Sequence, residues 1–266
     1  MQYQLGIIGC GNMAQAIAGG AIKQGVIDAK QVIASDPSES HRAVFEQWGC
    51  ATTSDNKAVA AQASQVLLAV KPQVFPKVAP DLADCNSEEH VLISIMAGLS
   101  SEKITGLIGK PCRVVRVMPN TPALVGAGMA GVALCDGAKP GDDELSKQLF
   151  AAVGKVVVLT EPMIDAINAI SGSGPGYIFY FAEAMEQAAA QLGLGEMGRQ
   201  IVAQTIYGAG KLMIESGEDP AELRRKVTSP GGTTLAATNS LDENEVKLAI
   251  HQAIQAAYQR AVELGG

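Results

Sequence analysis

Short apolar runs alternate with helical patterns over the first 160 residues, and this alternation is the feature that most constrains the fold. Strands that are buried on both faces appear as continuous apolar runs, which is typical of a mostly parallel sheet covered by helices on both sides. The predicted strands are 4–8 (QLGII), 31–35, 66–70 (VLLAV), 91–95 (VLISI), 113–117 (RVVRV), 129–135 and 155–159, the last two as edge strands. The predicted helices are 12–24, 39–48, 55–63, 73–83, 100–108 and 142–152. We therefore predict a doubly wound α/β domain over residues 1–160.

The character of the chain changes near residue 161, where strand-like runs stop. Residues 161–266 are predicted to form an all-helical second domain. The segment 177–192 is apolar on almost every face, so it is expected to be buried on all sides and to pack against a second subunit. Asp219-Pro220-Ala221-Glu222 predicts a capping box that opens a short helix ending at Val227, and 243–264 predicts a final amphipathic helix.

Composition and charge exclude several classes of function. The formal net charge is -7, from 20 basic and 27 acidic residues, which would repel the phosphate backbone of a nucleic acid. The five cysteines are scattered and include no CxxC pair, so we expect neither disulfides nor a metal site, and a reducing compartment. The sequence starts without an export signal and contains no uninterrupted apolar span long enough for a membrane, which predicts a cytoplasmic protein.

A glycine-rich turn joins the first predicted strand to the first helix. Its sequence is Gly9-Cys10-Gly11-Asn12-Met13-Ala14, a GxGxxA pattern. The first glycine allows a tight turn, the second lets a diphosphate approach the backbone, and the small alanine lets the helix pack on the strand. Because the strand, the helix and a second strand all occupy the required places, we predict a Rossmann domain that binds a dinucleotide.

The residues after the second strand bear on the choice of dinucleotide. An acidic residue at this position, here Asp36, accepts hydrogen bonds from the ribose 2′-hydroxyl and favours NAD. Ser35 and Arg42 instead favour the 2′-phosphate of NADP. Asp36 is also suited to cap the next helix, and Arg42 to be a solvated charge. The sequence leaves the preference between NADPH and NADH open.

Three further loops follow strands and are expected at the carboxyl edge of the sheet, where ligands bind in such folds. They are Ala69-Val70-Lys71-Pro72, Ile95-Met96-Ala97-Gly98 and Met118-Pro119-Asn120-Thr121-Pro122. Lys71 and Asn120 occupy positions from which a side chain can reach a cofactor. The alternatives are that Lys71 is a solvated lysine and Asn120 a residue that forms a turn.

The C-terminal half contains two glycine-rich turns, 171–176 (SGSGPG) and 229–234 (SPGGTT). In the second turn we expect Ser229 at the N-cap and Pro230 at the first helical position, with Gly231 and Gly232 leaving the next N–H groups bare. Such a turn can hold a carboxylate, although an ordinary helix cap is the alternative. None of the three histidines lies in a glycine-rich turn, which favours reduction of a C=N bond over chemistry that requires a strong general acid.

Five segments, in this order and at these separations, resemble the pyrroline-5-carboxylate reductase family over nearly the whole chain: GIIGCGNMAQAIAGG, LLAVKPQ, RVVRVMPNTPALVGAGM, AISGSGPGYIFYFAEAM and VTSPGGTT. The resemblance implies an N-terminal Rossmann domain and a helical C-terminal domain that forms an intertwined homodimer, often assembled further into a decamer of five dimers. It also implies hydride transfer from NADPH or NADH to 1-pyrroline-5-carboxylate, the last step of proline biosynthesis.

The resemblance assigns roles to individual residues. Thr234 is the implied catalytic residue, whose hydroxyl reaches the ring nitrogen of the substrate. The implied substrate-binding residues are Ser229, Gly232, Thr233, Ser173 and Gly174, the last two expected from the partner subunit. The implied cofactor-binding residues are Ile8, Gly9, Cys10, Gly11, Asn12, Met13, Ser35, Asp36, Asn56, Ala69, Val70, Lys71, Pro72, Ile95, Met96, Ala97 and Asn120.

Two departures and two alternatives accompany the resemblance. Some family members carry serine at the position of Asp36 and asparagine at the position of Lys226, so no substrate contact is assigned to Lys226. A β-hydroxyacid dehydrogenase is disfavoured because the segment after 171–176 lacks the lysine on which that class relies. A non-catalytic dinucleotide-binding regulator is disfavoured because the turn 229–234 is intact.

Overall fold

The computed structural model describes residues 1–85 and 88–265, and their packing divides the chain into two compact units. The first unit comprises Met1–Ser173 together with the end of the chain from Ala257, and the second comprises Gly174–Ala256. The predicted domain boundary at residue 160 follows the end of the last strand at Leu159 and stays a prediction.

One eight-stranded sheet forms the centre of the first unit as far as it is described, with the strand order β3-β2-β1-β4-β5-β6-β7-β8. The strands are β1 (Tyr3–Ile8), β2 (Val32–Ser35), β3 (Ala51–Thr53), β4 (Ala63–Leu68), β5 (Val91–Ser94), β6 (Arg113–Met118), β7 (Gly128–Leu134) and β8 (Gly154–Leu159). The first six are mutually parallel, in the order of a Rossmann domain, with the chain reversing its direction of winding between β1 and β4. The predicted fold class is confirmed.

Two features of the sheet differ from or extend the prediction. The short strand β3 was not predicted, and it pairs with β2 at one edge of the sheet. At the other edge β7 runs antiparallel to β6, and β8 runs parallel to β7. Both predicted edge strands are therefore present in the same sheet.

Helices cover both faces of the sheet. In the first unit they are α1 (Asn12–Lys23), α2 (Glu39–Gln47), α3 (Asn56–Gln62), α4 (Phe75–Val78), α5 (Ser101–Ile108), α6 (Glu144–Ala151) and α7 (Ile164–Ile167). One buried cluster packs α1, α2 and α6 on one face through residues such as Ile17, Phe45 and Leu149. A second cluster packs α3, α4 and α5 on the other face. This burial on both faces explains why the strands appear as continuous apolar runs.

The second unit is helical, as predicted. Its helices are α8 (Gly174–Gln191), α9 (Met197–Ser216), α10 (Pro220–Lys226) and α11 (Thr233–Glu243), followed by the start of α12 (Val246–Gly265). Asp219 caps α10 by accepting a hydrogen bond from the Ala221 N–H, but Glu222 pairs with Arg225, so the predicted reciprocal capping box does not form.

Residues 177–192 are not buried on all sides within the single chain, and their expected packing against a second subunit stays a prediction. Helix α8 approaches α9 closely at Ala189 and Gly198, where a Cβ atom on the glycine would lie 2.8 Å from that of the alanine. Three of its aromatic residues remain exposed, with Phe179 61%, Tyr180 77% and Phe181 50% accessible. Within the chain only part of its surface is covered.

In the part of the chain that the structure describes, no helix combines the length and apolarity that crossing a membrane requires.

Candidate active site

The turn between β1 and α1 has the geometry of a diphosphate cradle. Gly9 has φ +97°, and a Cβ atom there would lie 2.9 Å from the backbone carbonyl of Ala69. Gly11 is the N-cap of α1 and makes no side-chain cap, and a Cβ atom there would point into open space. Because the first turn of α1 also lacks acidic residues, its N–H groups are available to an anion. The residues present therefore fit a dinucleotide.

Asp36 binds the backbone of this turn. Its Oδ2 accepts a hydrogen bond from the Cys10 N–H at 2.8 Å, and its Oδ1 accepts one from the Ser38 N–H at 2.8 Å. Asp36 does not cap α2, because Ser38 is the N-cap. Arg42 is not a freely solvated charge, since its Nη1 donates to the carbonyl oxygens of Asp36 and Pro37 at 2.6 and 3.2 Å. The loop after β2 thus brings one carboxylate and one guanidinium to the carboxyl end of the strand.

The Cys10 thiol is a packing group and not a nucleophile. Its side chain is fully buried in the core cluster beneath α1. Burial, with a smaller contribution from the nearby Asp36 charge, raises the pKa of Cys10 to about 12. The thiol is therefore neutral at physiological pH.

Asn56 lies beside Ser35, the end of β2, although it is 21 positions further along the chain. Its Oδ1 accepts a hydrogen bond from the Ser35 hydroxyl at 2.8 Å, and its Nδ2 donates to Asp81 at 3.0 Å. The structure therefore brings together Ser35 and Asn56, two of the implied cofactor-binding residues. Asp81, which holds Asn56, was not identified from the sequence.

The loops after β4 and β5 lie at the same edge of the sheet as the β1–α1 turn. The Ala69 N–H donates to the carbonyl of Ile8 at 2.9 Å, and the Ile95 N–H donates to that of Leu68 at 3.2 Å. These bonds align the ends of three adjacent strands. The predicted cofactor residues 8–13, 69–72 and 95–97 therefore share one edge, and Lys71 is exposed there.

Asn120 follows β6 at this edge, and its amide is engaged within the chain. Its Oδ1 accepts a hydrogen bond from the Met129 N–H at 2.8 Å. Its Nδ2 donates to the carbonyl oxygen and the hydroxyl of Ser171 at 3.2 and 3.1 Å. Ser171 belongs to the predicted glycine-rich turn but was not singled out as a site residue.

A π-helical turn over Asn168–Gly172 leads to the predicted substrate residues Ser173 and Gly174. Ser173 ends the first unit, and Gly174 opens α8 in the second. Helix α8 contains no lysine, as expected for the segment after the turn.

The second glycine-rich turn, 229–234, differs from the prediction in its local geometry. The Gly232 N–H donates to the Ser229 carbonyl at 3.0 Å, and Gly231 has φ +69°, which together make Ser229–Gly232 a type II turn with Pro230 at its second position. Ser229 is therefore not the N-cap and Pro230 is not the first helical residue. Because the type II turn precedes the helix, the N-cap is Gly232 and the first residue of α11 is Thr233.

The revised geometry keeps the feature that suits a carboxylate. Helix α11 has no side-chain cap, and its first turn contains no acidic residue. The N–H groups of its first residues, Thr233, Thr234 and Leu235, have no intrahelical acceptor in an α-helix. Ser229 packs against the N-cap, because a Cβ atom on Gly232 would lie 2.5 Å from the Ser229 hydroxyl oxygen.

A buried ionic group near the end of the sheet was missed from the sequence. Arg116 on β6 is 4% exposed and pairs with Glu161 at 3.2 Å and Asp165 at 3.9 Å. Glu161 also accepts hydrogen bonds from the Ser101 N–H and hydroxyl at 2.7 and 2.6 Å. Burial opposes ionisation of Glu161, but the bonds from Ser101 outweigh it, together with smaller contributions from Cys135 and Arg116, and the pKa of Glu161 lies below its ordinary value. The sequence feature that could have revealed this group is an arginine within an apolar strand, because a buried arginine requires a partner of opposite charge.

Two family models match the chain. Residues 161–264 match "Pyrroline-5-carboxylate reductase dimerisation", and residues 4–98 match "NADP oxidoreductase coenzyme F420-dependent". The second match covers the cradle at Gly9–Met13 and the loops after β2, β4 and β5.

Full-length relatives agree with the first of these matches. Pyrroline-5-carboxylate reductase of Haemophilus influenzae is 42% identical over 99% of this chain and 98% of its own. A pyrroline-5-carboxylate reductase structure from Coxiella burnetii superposes with a TM-score of 0.92 at 37% identity, covering 100% of both chains. A structure of the Plasmodium falciparum pyrroline carboxylate reductase with NADP bound superposes with a TM-score of 0.87 at 28% identity, again over 100% of both chains. The chain therefore belongs to the pyrroline-5-carboxylate reductase family.

Proposed function

We propose that this protein reduces 1-pyrroline-5-carboxylate to L-proline with NADPH as the hydride donor, NADH being the other candidate, in the final step of proline biosynthesis. The observation that carries the proposal is the uncapped N-terminus of α11 after the Ser229–Gly232 turn, in a chain of this family. The NADP-containing Plasmodium structure and the NADP oxidoreductase model over residues 4–98 support the choice of NADPH.

The first unit holds the dinucleotide in this proposal. The residues that would hold it are those of the cradle (Ile8, Gly9, Cys10, Gly11, Asn12, Met13), those after β2 (Ser35, Asp36) with Asn56, and those of the loops Ala69–Pro72 and Ile95–Ala97. Asn120 would lie near the nicotinamide, with its amide bound to Ser171 and Met129. When bound, NADPH supplies the hydride that is added to C5 of the substrate. Arg42 carries the positive charge that a 2′-phosphate would need, and Asp36 carries the acceptor that a free 2′-hydroxyl would need. Both side chains hydrogen-bond to the loop after β2.

The second unit holds the substrate carboxylate. The bare N–H groups at the start of α11 attract an anion because the helix dipole is positive there, and Gly232 and Thr233 let the carboxylate reach the backbone. The Ser229 hydroxyl, which lies against the N-cap, can donate a further hydrogen bond. Ser173 and Gly174 of the partner subunit are proposed to form the other wall of the substrate site. Fixing the carboxylate orients the ring, and orientation alone can account for a large part of the rate.

Thr234 is the proposed catalytic residue. The substrate is a cyclic imine that is protonated on nitrogen. Addition of hydride to C5 moves the π-electron pair of the C=N bond onto the nitrogen, which keeps its proton and becomes an amine. The step needs no separate strong acid, and the Thr234 hydroxyl accepts a hydrogen bond from the iminium N–H to hold the ring.

The test is a spectrophotometric assay of the full chain with 1-pyrroline-5-carboxylate, run in parallel with NADPH and NADH at 340 nm. Substrate-dependent oxidation, faster with NADPH, is the expected result. Stabilisation by NADPH without any oxidation would instead make the protein a dinucleotide-binding regulator. Activity on a 3-hydroxy acid with NADP⁺, and none on the imine, would place it with the β-hydroxyacid dehydrogenases.

We further propose that the protein is a cytoplasmic homodimer and that five dimers assemble into a decamer. The match of residues 161–264 to a dimerisation model supports the dimer, and so do the exposed aromatic residues of α8. The five cysteines are all free and buried, which supports a reducing compartment. Light scattering after size exclusion should give ten times the mass of one chain. A mass of twice the chain would retain the dimer and remove the decamer, and a monomer would overturn both.

A further inference from the structure

The Asn120 side chain joins three segments that are distant in the sequence. It projects from the loop after β6, accepts a hydrogen bond from the start of β7 at Met129, and donates to Ser171. Its carbonyl oxygen and its NH₂ group are both used in these bonds. A side chain that is engaged in this way is held by the chain and in turn holds its partners.

Ser171 belongs to the π-helical turn Asn168–Gly172, which depends on close packing. The Ser173 N–H donates to the Asn168 carbonyl at 2.8 Å, closing the wide turn. A Cβ atom on Gly172 would lie 2.3 Å from the Asn168 side-chain oxygen and 3.6 Å from the sulfur of Met118. Single π-helical turns are rare and occur frequently at functional sites. Here the turn is contacted by Asn120 and Met118, which lie just after and at the end of β6.

We propose that Asn120 is a positioning residue, whose amide holds the π-helical turn Asn168–Gly172, and with it Ser173, against the carboxyl end of β6. The inference rests on the proposed function in one respect, which is that Ser173 lines the substrate site. In this proposal Asn120 acts on the substrate indirectly, because it holds the turn that carries Ser173. Its side chain makes no direct bond to the nicotinamide. A substitution at Asn120 should therefore lower kcat/KM for the substrate and leave the Kd for the cofactor unchanged.

The test separates the hydrogen bond that Asn120 accepts from Met129 from the two that it donates to Ser171. Asn120→Asp keeps the oxygen that accepts from the Met129 N–H but replaces the NH₂ group by an oxygen that faces the Ser171 carbonyl. Ser171→Ala removes only one of the two acceptors on Ser171, and it serves as a milder variant should the first fail to fold. Asn244→Asp is the matched control, because Asn244 Nδ2 also donates to a backbone carbonyl, that of Ser240 at 2.8 Å, at the end of α11.

Two measurements are made on each variant of the full chain. Hydrogen exchange should be faster at the Ser173 amide in Asn120→Asp, less so in Ser171→Ala, and unchanged in Asn244→Asp. In the assay with 1-pyrroline-5-carboxylate, kcat/KM should fall about ten- to a hundredfold in Asn120→Asp, as expected for a small misplacement of a site residue. The Kd for NADPH should stay within about twofold of the unmodified protein.

The outcomes distinguish this inference from the function on which it rests. Unchanged exchange at the Ser173 amide in both variants would overturn the positioning role. A weakened Kd for NADPH with an unchanged KM for the substrate would instead assign Asn120 to direct contact with the cofactor. If the unmodified protein fails to reduce 1-pyrroline-5-carboxylate, the proposed function fails, whereas the exchange measurement still decides whether Asn120 holds the turn.

Discussion

Gly9 gives the sharpest test of the cofactor cradle, because two independent features of the structure forbid a side chain there. Its φ of +97° lies outside the region that L-residues adopt without strain. A Cβ atom would also lie 2.9 Å from the carbonyl carbon and oxygen of Ala69 and 3.0 Å from the nitrogen of Val70. All three of these atoms belong to the backbone of the loop just after β4, which cannot turn away as a flexible side chain can.

The magnitude follows from these two features. Backbone strain of this kind costs about 1–3 kcal/mol, and overpacking of a well-packed site costs about 1–3 kcal/mol. Gly9→Ala should therefore lower the free energy of unfolding by about 2–6 kcal/mol. The β1–α1 turn and the β4 loop must move apart, so the affinity for NADPH should fall as well.

Trp48 allows the unfolding of the first unit to be followed. It is the single tryptophan of the chain, and it packs on Phe45 with ring centroids 5.1 Å apart. A urea titration monitored by its fluorescence reports on the unit that contains Gly9. The Kd for NADPH is measured separately from the fluorescence of the nucleotide.

Gly11→Ala is the matched control, two residues away in the same turn. No atom lies within 4 Å of a Cβ atom at Gly11, so the free energy of unfolding should change by no more than about 1 kcal/mol. The added methyl group would occupy the space through which a diphosphate reaches the backbone, so NADPH should bind at least about tenfold more weakly. Equal stability losses in the two variants, or tight NADPH binding by Gly11→Ala, would refute the reasoning about this turn.

Three further predictions concern the substrate turn and the buried ionic group. Thr234→Ala should lower kcat by about 10²–10⁴-fold with little change in the Kd for NADPH, and Thr234→Ser should restore part of it; unchanged turnover would remove the role of the hydroxyl. Arg116→Met leaves two carboxylates without their cation and should cost about 3–5 kcal/mol in urea unfolding, whereas Arg225→Ala, at an exposed pair, should cost less than about 1 kcal/mol. The lowered pKa of Glu161 contributes stability that is complete above its ordinary value of 4.5 and is lost as the pH falls below it. The acid unfolding curve of Glu161→Gln should therefore be flatter than that of the unmodified protein, and parallel curves would contradict this.

Most of the sheet was predictable because its strands are buried on both faces and separated by helices with a different period. The strand β3 was missed, since Ala51–Thr53 is short, half-buried and only one residue of it is apolar. It exists because it pairs with β2, and pairing depends on a neighbour that the local pattern does not specify. The same holds for the antiparallel direction of β7, which is set by its partner β6.

The turn 229–234 shows how one pattern can satisfy two local rules. Proline after serine fits the start of a helix, and it equally fits the second position of a type II turn. The positive φ of Gly231 selects the turn, and α11 consequently starts three residues later than expected. The bare helix N-terminus, on which the proposed carboxylate site depends, is the same in both arrangements.

By itself the sequence determined the order and type of most elements, the position of the dinucleotide cradle and the resemblance that led to the proposed function. These features are encoded locally, in hydrophobic periodicity and in glycines placed where the backbone needs them. Only the tertiary structure decided that Asp36 binds the Cys10 N–H, that Asn120 holds Ser171, and that Arg116 is neutralised by Glu161. Each of these contacts joins residues 26 to 51 positions apart. Which groups meet across such distances depends on which strands and helices become neighbours when the chain packs its core.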